Sequence, residues 1–102
     1  MSDSTAFDDL ELLDGTDLKA VFNHMPLESV VAALWGCPMA LRGRLLRKLT
    51  NRDASRFEKA IAATAHLSFG QVRNGQQEAV SVMCQMSRAG QIAFDAPEDM
   101  VA

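Results

Sequence analysis

The side chains with the greatest capacity for chemistry in this chain of 102 residues are two histidines and two cysteines. His24 and His66 lie far apart, and neither stands at metal-ligand spacing from a set of Asp, Glu or Cys residues. Cys37 and Cys84 form no CxxC pair, and nothing near either one supplies the base that a nucleophilic thiol requires. Nucleotide-binding and HExxH motifs are absent. The sequence therefore predicts a protein that is not an enzyme and that binds no metal or cofactor.

A second kind of chemistry is electrostatic, and it is concentrated in residues 40–65. Seven of the ten Lys and Arg residues lie there with two acids, so the segment has a formal charge of 7 − 2 = +5, whereas the whole chain has −3. The acids that outweigh this segment lie before and after it. Because the overall charge is negative and the flanks are acidic, the pattern argues against nucleic-acid binding and favours a protein partner.

These charges must be positioned by helices. The apolar residues are Leu, Val, Met and Ala far more than aromatics, and Tyr is absent, which is typical of helices packed on helices. We predict an all-α domain, a compact right-handed stack of about six short helices. The predicted helices cover residues 7–13, 16–24, 26–35, 39–49, a segment that begins at 50, and 69–89.

The predicted helix ends follow from capping residues and glycines. Asp14 is the predicted N-cap of the second helix, and capping boxes are predicted to begin the fifth helix at Thr50 and the sixth at Ser68. Gly36 and Gly90 are predicted to end helices as C′ residues. Two features within helices are predicted to be unfavourable: Gly43, which costs about 1 kcal/mol relative to alanine, and the pair at positions 74–75.

Helical periodicity predicts which side chains are buried. On the first helix these are Phe7, Leu10 and Leu13. On the third they are Leu27, Val30, Val31 and Leu34. On the fifth they are Ala54, Phe57 and Ile61. On the sixth they are Phe69, Val72, Ala79, Val82, Met83 and Met86.

The opposite face of the fifth helix carries Arg52, Arg56 and Lys59, which we call the basic stripe. A periodicity of 100° per residue predicts that the stripe faces solvent or a partner. Trp35, which precedes a helix-ending glycine, has two possible roles. It is either an exposed binding anchor or a side chain packed under the N-terminal helix.

The composition predicts one domain over residues 7–94, with a disordered lead-in at 1–6 and an acidic flexible tail at 95–102. The N-terminus is polar and acidic, unlike a signal peptide. The longest apolar run, residues 30–35, is far shorter than the roughly 20 residues of a membrane span. We therefore expect a cytoplasmic location, without membrane insertion, and reduced cysteines.

Four groups of residues in this chain have the types and spacing found in a known family: Phe7, Asp8, Asp9 and Leu10; Ala33, Leu34 and Gly36; Leu41, Arg42, Leu45, Leu46, Arg47, Leu49, Thr50 and Arg52; and Ala89, Gly90 and Ile92. The chain resembles the C-terminal domain of the flagellar motor switch protein FliG, and the register runs without gaps from about residue 30 to residue 94. The resemblance implies an armadillo-like fold and one exposed helix whose charges face the cytoplasmic loop of the stator. That helix corresponds to the fifth predicted helix.

The family's charged positions are largely not retained. Arg52 is kept, but Trp35 replaces a lysine and Ser68 replaces an arginine. Lys59 and Ala60 stand in place of two adjacent acids. Because this reverses the local charge, a stator loop with the usual charges would be repelled.

Two functions therefore stay open. One is a charge-altered rotor protein that contacts a stator loop or another rotor or switch protein through the basic stripe and Trp35. The other is a cytoplasmic adaptor or regulator outside the motor that kept only the fold and binds through an apolar patch centred on Trp35. A stand-alone paralogue and a detached domain are both consistent with the resemblance, and the oligomeric state is left open.

Overall fold

The computed structural model describes residues 6–92, and over that range the chain is helical without strands. This confirms the all-α prediction, and each predicted boundary lies within one residue of the observed one. The predicted acidic tail, Phe94 and all but Ala6 of the predicted lead-in lie outside the described residues. The helices are a 3₁₀ helix η1 (Phe7–Leu12), followed by α1 (Gly15–Asn23), α2 (Leu27–Trp35), α3 (Met39–Lys48), α4 (Asn51–Ala63) and α5 (Phe69–Arg88).

The N-terminal element is a 3₁₀ helix, with three residues per turn, so side chains three apart lie above one another. Phe7, Leu10 and Leu13 are accordingly all buried, as their spacing predicted. The carboxylate of Asp9 accepts the backbone N–H of Ala6 at 3.0 Å, which closes the first turn. The 3₁₀ helix therefore packs against the rest of the domain through one apolar face.

The central helix pair is α2 with α5, which pack closely because of glycine. A Cβ on Gly75 would lie 2.7 Å from the carbonyl oxygen of Ser29 and 3.0 Å from the backbone nitrogen of Ala33. The side-chain amide of Gln76 donates to the Ala33 carbonyl at 3.1 Å. Helix α5 is continuous through positions 74–75, and Gly75, predicted only as unfavourable for a helix, permits the close crossing of the two backbones.

Gly36 also differs from its predicted role. It is the C-cap of α2, but its φ of −93° is not left-handed, so it is not a C′ residue of the predicted kind. A Cβ at this position would overlap the side chain of Val72 in the first turn of α5. The requirement for glycine here is one of space between two helices rather than of backbone conformation.

One hydrophobic core collects side chains from all six helices. Phe22 of α1 meets Phe57 of α4 edge to face, with ring centroids 5.6 Å apart. No polar or charged residue among residues 6–92 is buried. The most completely buried side chains are Leu10, Leu18, Val21, Val30, Leu34, Leu45 and Met83.

Two predicted core residues are instead on the surface. Leu27 is 48% exposed and Phe69 is 78% exposed. Each is the first residue of its helix, Leu27 in α2 and Phe69 in α5. Periodicity predicts the direction in which a side chain points, but not whether a neighbouring helix extends far enough to cover it.

Helix ends follow the predicted capping chemistry with one exception. Asp14 accepts the N–H of Asp17 at 2.8 Å, and Ser68 with Gln71 forms the complete capping box. Thr50 accepts the N–H of Asp53 at 3.2 Å, but the reciprocal half of that box is not formed. The carboxylate of Asp53 lies instead 3.2 Å from Lys19 of α1, so this acid links two helices.

The C-terminal end of α5 is a Schellman motif, as the predicted C′ glycine requires. Gly90 has a φ of +74°. The N–H of Gln91 donates to the Met86 carbonyl at 2.8 Å, and the N–H of Gly90 donates to the Ser87 carbonyl at 3.1 Å. Ile92 folds back into the core, where it is buried.

Candidate protein-docking surface

The basic stripe faces solvent because the opposite side of α4 is packed on the core. Phe57 is buried, and Ala54 and Ile61 pack partly buried against the same cluster. The three side chains of the stripe are exposed and lie within roughly 60° of one another around the helix axis. The structure thus agrees with the predicted exposure of Arg52, Arg56 and Lys59, while their role in binding stays a prediction.

Neither acid of α4 forms an ion pair with this stripe. Asp53 pairs with Lys19, and this contact, with a smaller contribution from Arg56, holds the pKa of the Asp53 carboxyl below its ordinary value. Glu58 lines a groove on the other flank of the helix. Within residues 6–92, no side chain of the stripe forms an ion pair. Three positive charges are therefore available to a partner.

Arg56 has one further contact that orders it. Its guanidinium carbon lies 5.1 Å from the centroid of the Phe57 ring, within the range of a cation–π interaction. Because Phe57 is buried in the core, this contact restrains the stem of Arg56 while the side chain stays exposed. A restrained cation loses less conformational entropy when it binds an acid.

Trp35 lies at the C-terminal end of α2 and is half-buried, so neither alternative from the sequence describes it fully. Its ring meets the imidazole of His66 edge to face, with centroids 6.0 Å apart. His66 belongs to the linker between α4 and α5 and is exposed. Phe69, one turn before the Val72 that packs on Gly36, adds an exposed aromatic ring near this end of the domain.

The basic residues of α3 are divided between two roles. Arg44 forms an ion pair with Glu11 of η1, which joins the N-terminal 3₁₀ helix to α3. Arg42 and Arg47 instead line the space between α3 and α4. The sequence predicted a basic segment over residues 40–65, but it did not separate the arginine that pairs with Glu11 from the two that line the groove.

The space between α3 and α4 is a feature that sequence analysis missed, and we call it the α3–α4 groove. It comprises two adjoining cavities of about 410 and 470 Å³, both lined by Gly43, Leu46 and Glu58. Met39 lines one of these cavities and is 77% exposed. The one available signal in the sequence was Gly43, a glycine in a helix interior without a structural reason.

Cys37 and His24 each form a hydrogen bond to a backbone carbonyl. Cys37 is buried, burial raises the pKa of its thiol, and its Sγ donates to the Leu34 carbonyl at 3.3 Å. The Nδ1 of His24 lies 2.8 Å from the Ala20 carbonyl of its own helix.

In the part of the chain that the structure describes, no group of three or more His, Cys, Asp or Glu residues could hold a metal ion. No helix there is long and apolar enough to span a membrane.

The comparison with protein families identifies this chain's family. A family model described as the FliG C-terminal domain matches residues 2–94, nearly the whole chain. The sequence matches no curated protein. The matched range includes every described helix, and with them the basic stripe, Trp35 and the α3–α4 groove. The chain therefore belongs to the FliG C-terminal domain family, an all-α, armadillo-like family of flagellar motor components and not of enzymes.

Proposed function

We propose that this protein acts in or beside the flagellar motor switch by non-catalytic, electrostatic contact with a protein partner. The contact surface is the basic stripe on α4. The partner is an acidic surface on the cytoplasmic loop of a stator or on another rotor or switch protein, at the cytoplasmic face of the basal body. The observation that carries this proposal is that Arg52, Arg56 and Lys59 are exposed together and form no ion pair within residues 6–92.

The sign of the charge determines the kind of partner. The stripe contributes three positive charges. Of the two acids on the same helix, Asp53 pairs with Lys19 and Glu58 lines the α3–α4 groove. Like charges at an interface cost several kcal/mol, so a basic partner surface is selected against. An acidic loop or helix is attracted to the stripe, at a rate that depends on ionic strength.

The test reverses the charge of the stripe in the double variant Arg52→Glu with Arg56→Glu. Partners are first identified by gentle cross-linking in the native host and mass spectrometry, and affinity is then measured with the purified partner. We expect a loss of at least about tenfold in affinity, because two attractive contacts become repulsive. Circular dichroism should show an unchanged helix content, since both side chains are exposed.

A matched control has the same change in net charge on another helix. The variant with Arg73→Glu, Gln77→Glu and Gln85→Glu changes the charge by −2 − 1 − 1 = −4, equal to the 2 × −2 of the stripe variant. All three positions are exposed on α5. Equal losses in both variants, or no loss in the stripe variant, would contradict docking through the stripe.

A second candidate function is a non-motor adaptor that binds through the apolar patch centred on Trp35. The half-buried Trp35 and the exposed Phe69 ring favour it, because exposed aromatics are typical binding anchors. In this case Trp35→Ala should abolish partner binding and the stripe variant should not. Cross-linking should then return no rotor or stator proteins.

A further inference from the structure

We propose that the α3–α4 groove binds one amphipathic helix of the partner protein, with an apolar face toward the groove and acidic residues on its flanks. This inference rests on the proposed function, because the groove and the basic stripe share helix α4. It adds the secondary structure of the bound segment and a second contact surface. The groove is thus the part of the interface that supplies apolar contact, while the stripe supplies charge.

The first observation is Gly43, in the interior of α3. A Cβ at this position would meet no atom within 4 Å, so nothing inside the described chain requires glycine. Glycine is unfavourable in a helix interior compared with alanine, so its presence needs another reason. Gly43 lines both cavities of the groove. A bare backbone at this wall allows a partner to approach more closely than any side chain would permit.

The second observation is the apolar surface that the groove leaves open. Met39 is 77% exposed at one cavity, and the partly buried Ile61 lies along the same cavity. Leu46 lines both cavities but is itself buried, so Met39 and Ile61 supply the open apolar surface. Methionine is flexible and polarizable, and it is common at surfaces that receive apolar helix faces. The ten residues of α3 give the groove a length of roughly 15 Å, which corresponds to about three turns of a bound helix.

Charge complementarity indicates that the residues on the flanks of the bound helix are acidic. Arg42 and Arg47 contribute +2 to the groove and Glu58 contributes −1, and with the three charges of the stripe the total is 2 − 1 + 3 = +4. None of these six side chains forms an ion pair within residues 6–92. Acids on both flanks of the bound helix would meet arginines of α3 on one side and the stripe on the other.

Glu58 determines how the helix is aligned along the groove. It is exposed, and it lines both cavities, so it lies at the middle of the bound segment. An acid directly opposite Glu58 would be repelled, so the bound helix should present a Lys, an Arg or a neutral donor at that point. A variant Glu58→Gln should therefore bind a helix with acids on its flanks several-fold more tightly than the wild type.

The experiment uses a synthetic stapled helix of about four turns as the probe, with leucine on one face and glutamate on both flanks. Its binding to the full chain is measured by fluorescence anisotropy at low salt. The critical variant is Gly43→Leu, which fills the groove wall. Its matched control is Ala40→Leu, which places the same leucine side chain at an exposed position of α3 outside both cavities. Thermal denaturation establishes that both variants are folded.

We expect the probe to bind the wild type and the Ala40→Leu variant alike, and to lose at least about tenfold in affinity for Gly43→Leu. A scrambled peptide of the same composition should bind weakly, because it has no apolar face. Equal affinity for Gly43→Leu and wild type, or no binding of the probe to wild type, would overturn the groove assignment. If the stripe variant still loses the native partner in that case, the proposed function stands without the groove. If Gly43→Leu loses the native partner and the stripe variant keeps it, the groove stands and the stripe does not.

Discussion

Gly75 and Gly43 occupy similar positions in the middle of helices, but their surroundings differ. The backbone of α2 lies against Gly75, and a Cβ there would be 2.7 Å from the Ser29 carbonyl oxygen. Space is open around Gly43, with no neighbouring atom within 4 Å of a Cβ. The same residue type is therefore required by packing at one position and unfavourable for stability at the other.

The two alanine substitutions should change stability in opposite directions. Gly75→Ala should destabilise the fold by about 1–3 kcal/mol, because the added methyl forces two backbones apart. Gly43→Ala should stabilise it by about 0.5–1 kcal/mol, because alanine is the better helix former and meets no obstacle. Urea denaturation of both variants measures the free energies of unfolding. A stabilised Gly75→Ala variant would mean that α2 and α5 are not in close contact.

Asp53 gives the fold a predictable dependence on pH. Its pKa is lowered in the folded state, chiefly by Lys19, so the unfolded chain binds this proton more readily. Its contribution to stability is therefore present above the ordinary pKa of about 4 and is lost as the pH falls through the lower folded value.

Thermal denaturation across the acid range tests this pairing. Asp53→Asn should be less stable than the wild type near neutral pH and should lose less stability on acidification, because the titrating carboxylate is gone. Lys19→Met should have a similar profile, since it removes the main cause of the shift. Lys59→Met is the control, because that lysine forms no ion pair within residues 6–92. Parallel acid profiles for wild type and Asp53→Asn would exclude the pair as a source of the dependence.

At the scale of the secondary-structure element, the stability of helix α5 depends most on its N-terminal cap. It is the longest helix at 20 residues, and its first turn is held by the reciprocal bonds between Ser68 and Gln71. The next turns include Val72 and Gly75, which contact α2. Fraying at the N-terminal end of α5 would therefore loosen the central helix pair.

Removing this cap should have a measurable effect on stability. Ser68→Ala should lower the free energy of unfolding by about 1 kcal/mol, because the N–H of Gln71 loses its acceptor. Ser81→Ala, at an exposed position within the same helix, is the matched control and should be neutral or slightly stabilising. Hydrogen exchange of the first turn of α5 should accelerate in Ser68→Ala alone. Equal effects of the two substitutions would contradict a capping role.

At the scale of the whole molecule, stability and binding depend on different forces. The fold is held by an apolar core to which all six helices contribute, and no charged residue among residues 6–92 is buried. The proposed contact, by contrast, is made by exposed charges on α3 and α4. Salt screens exposed charges strongly and affects apolar burial little.

Ionic strength should therefore separate folding from docking. Raising the salt concentration from about 0.05 M to about 0.5 M should weaken stripe-dependent binding by at least about tenfold, while the midpoint of urea unfolding changes little. The affinity that remains at high salt should come from the apolar groove, and Gly43→Leu should reduce it. Binding that is unaffected by salt would favour the patch around Trp35 over the stripe.

The sequence by itself determined the local features of this protein. Capping residues at Asp14, Thr50 and Ser68 and the left-handed Gly90 established where helices begin and end, since these signals act within a few residues. The 100° periodicity of α4 separated Phe57 from the charges on the opposite face. The resemblance to a known family was also readable, and the family match over residues 2–94 confirmed that the chain belongs to it.

Tertiary structure decided which surfaces are covered and which are open. The need for glycine at positions 36 and 75 is explained by atoms of another helix that lie close to them. The Asp53 carboxylate pairs with Lys19 of α1 instead of completing the predicted capping box. Leu27 and Phe69 follow the apolar periodicity, but no neighbouring helix extends over them. The α3–α4 groove is likewise a property of two helices. Each of these features depends on the distance between helices that are far apart in the sequence, and the residue pattern of a single helix cannot predict that distance.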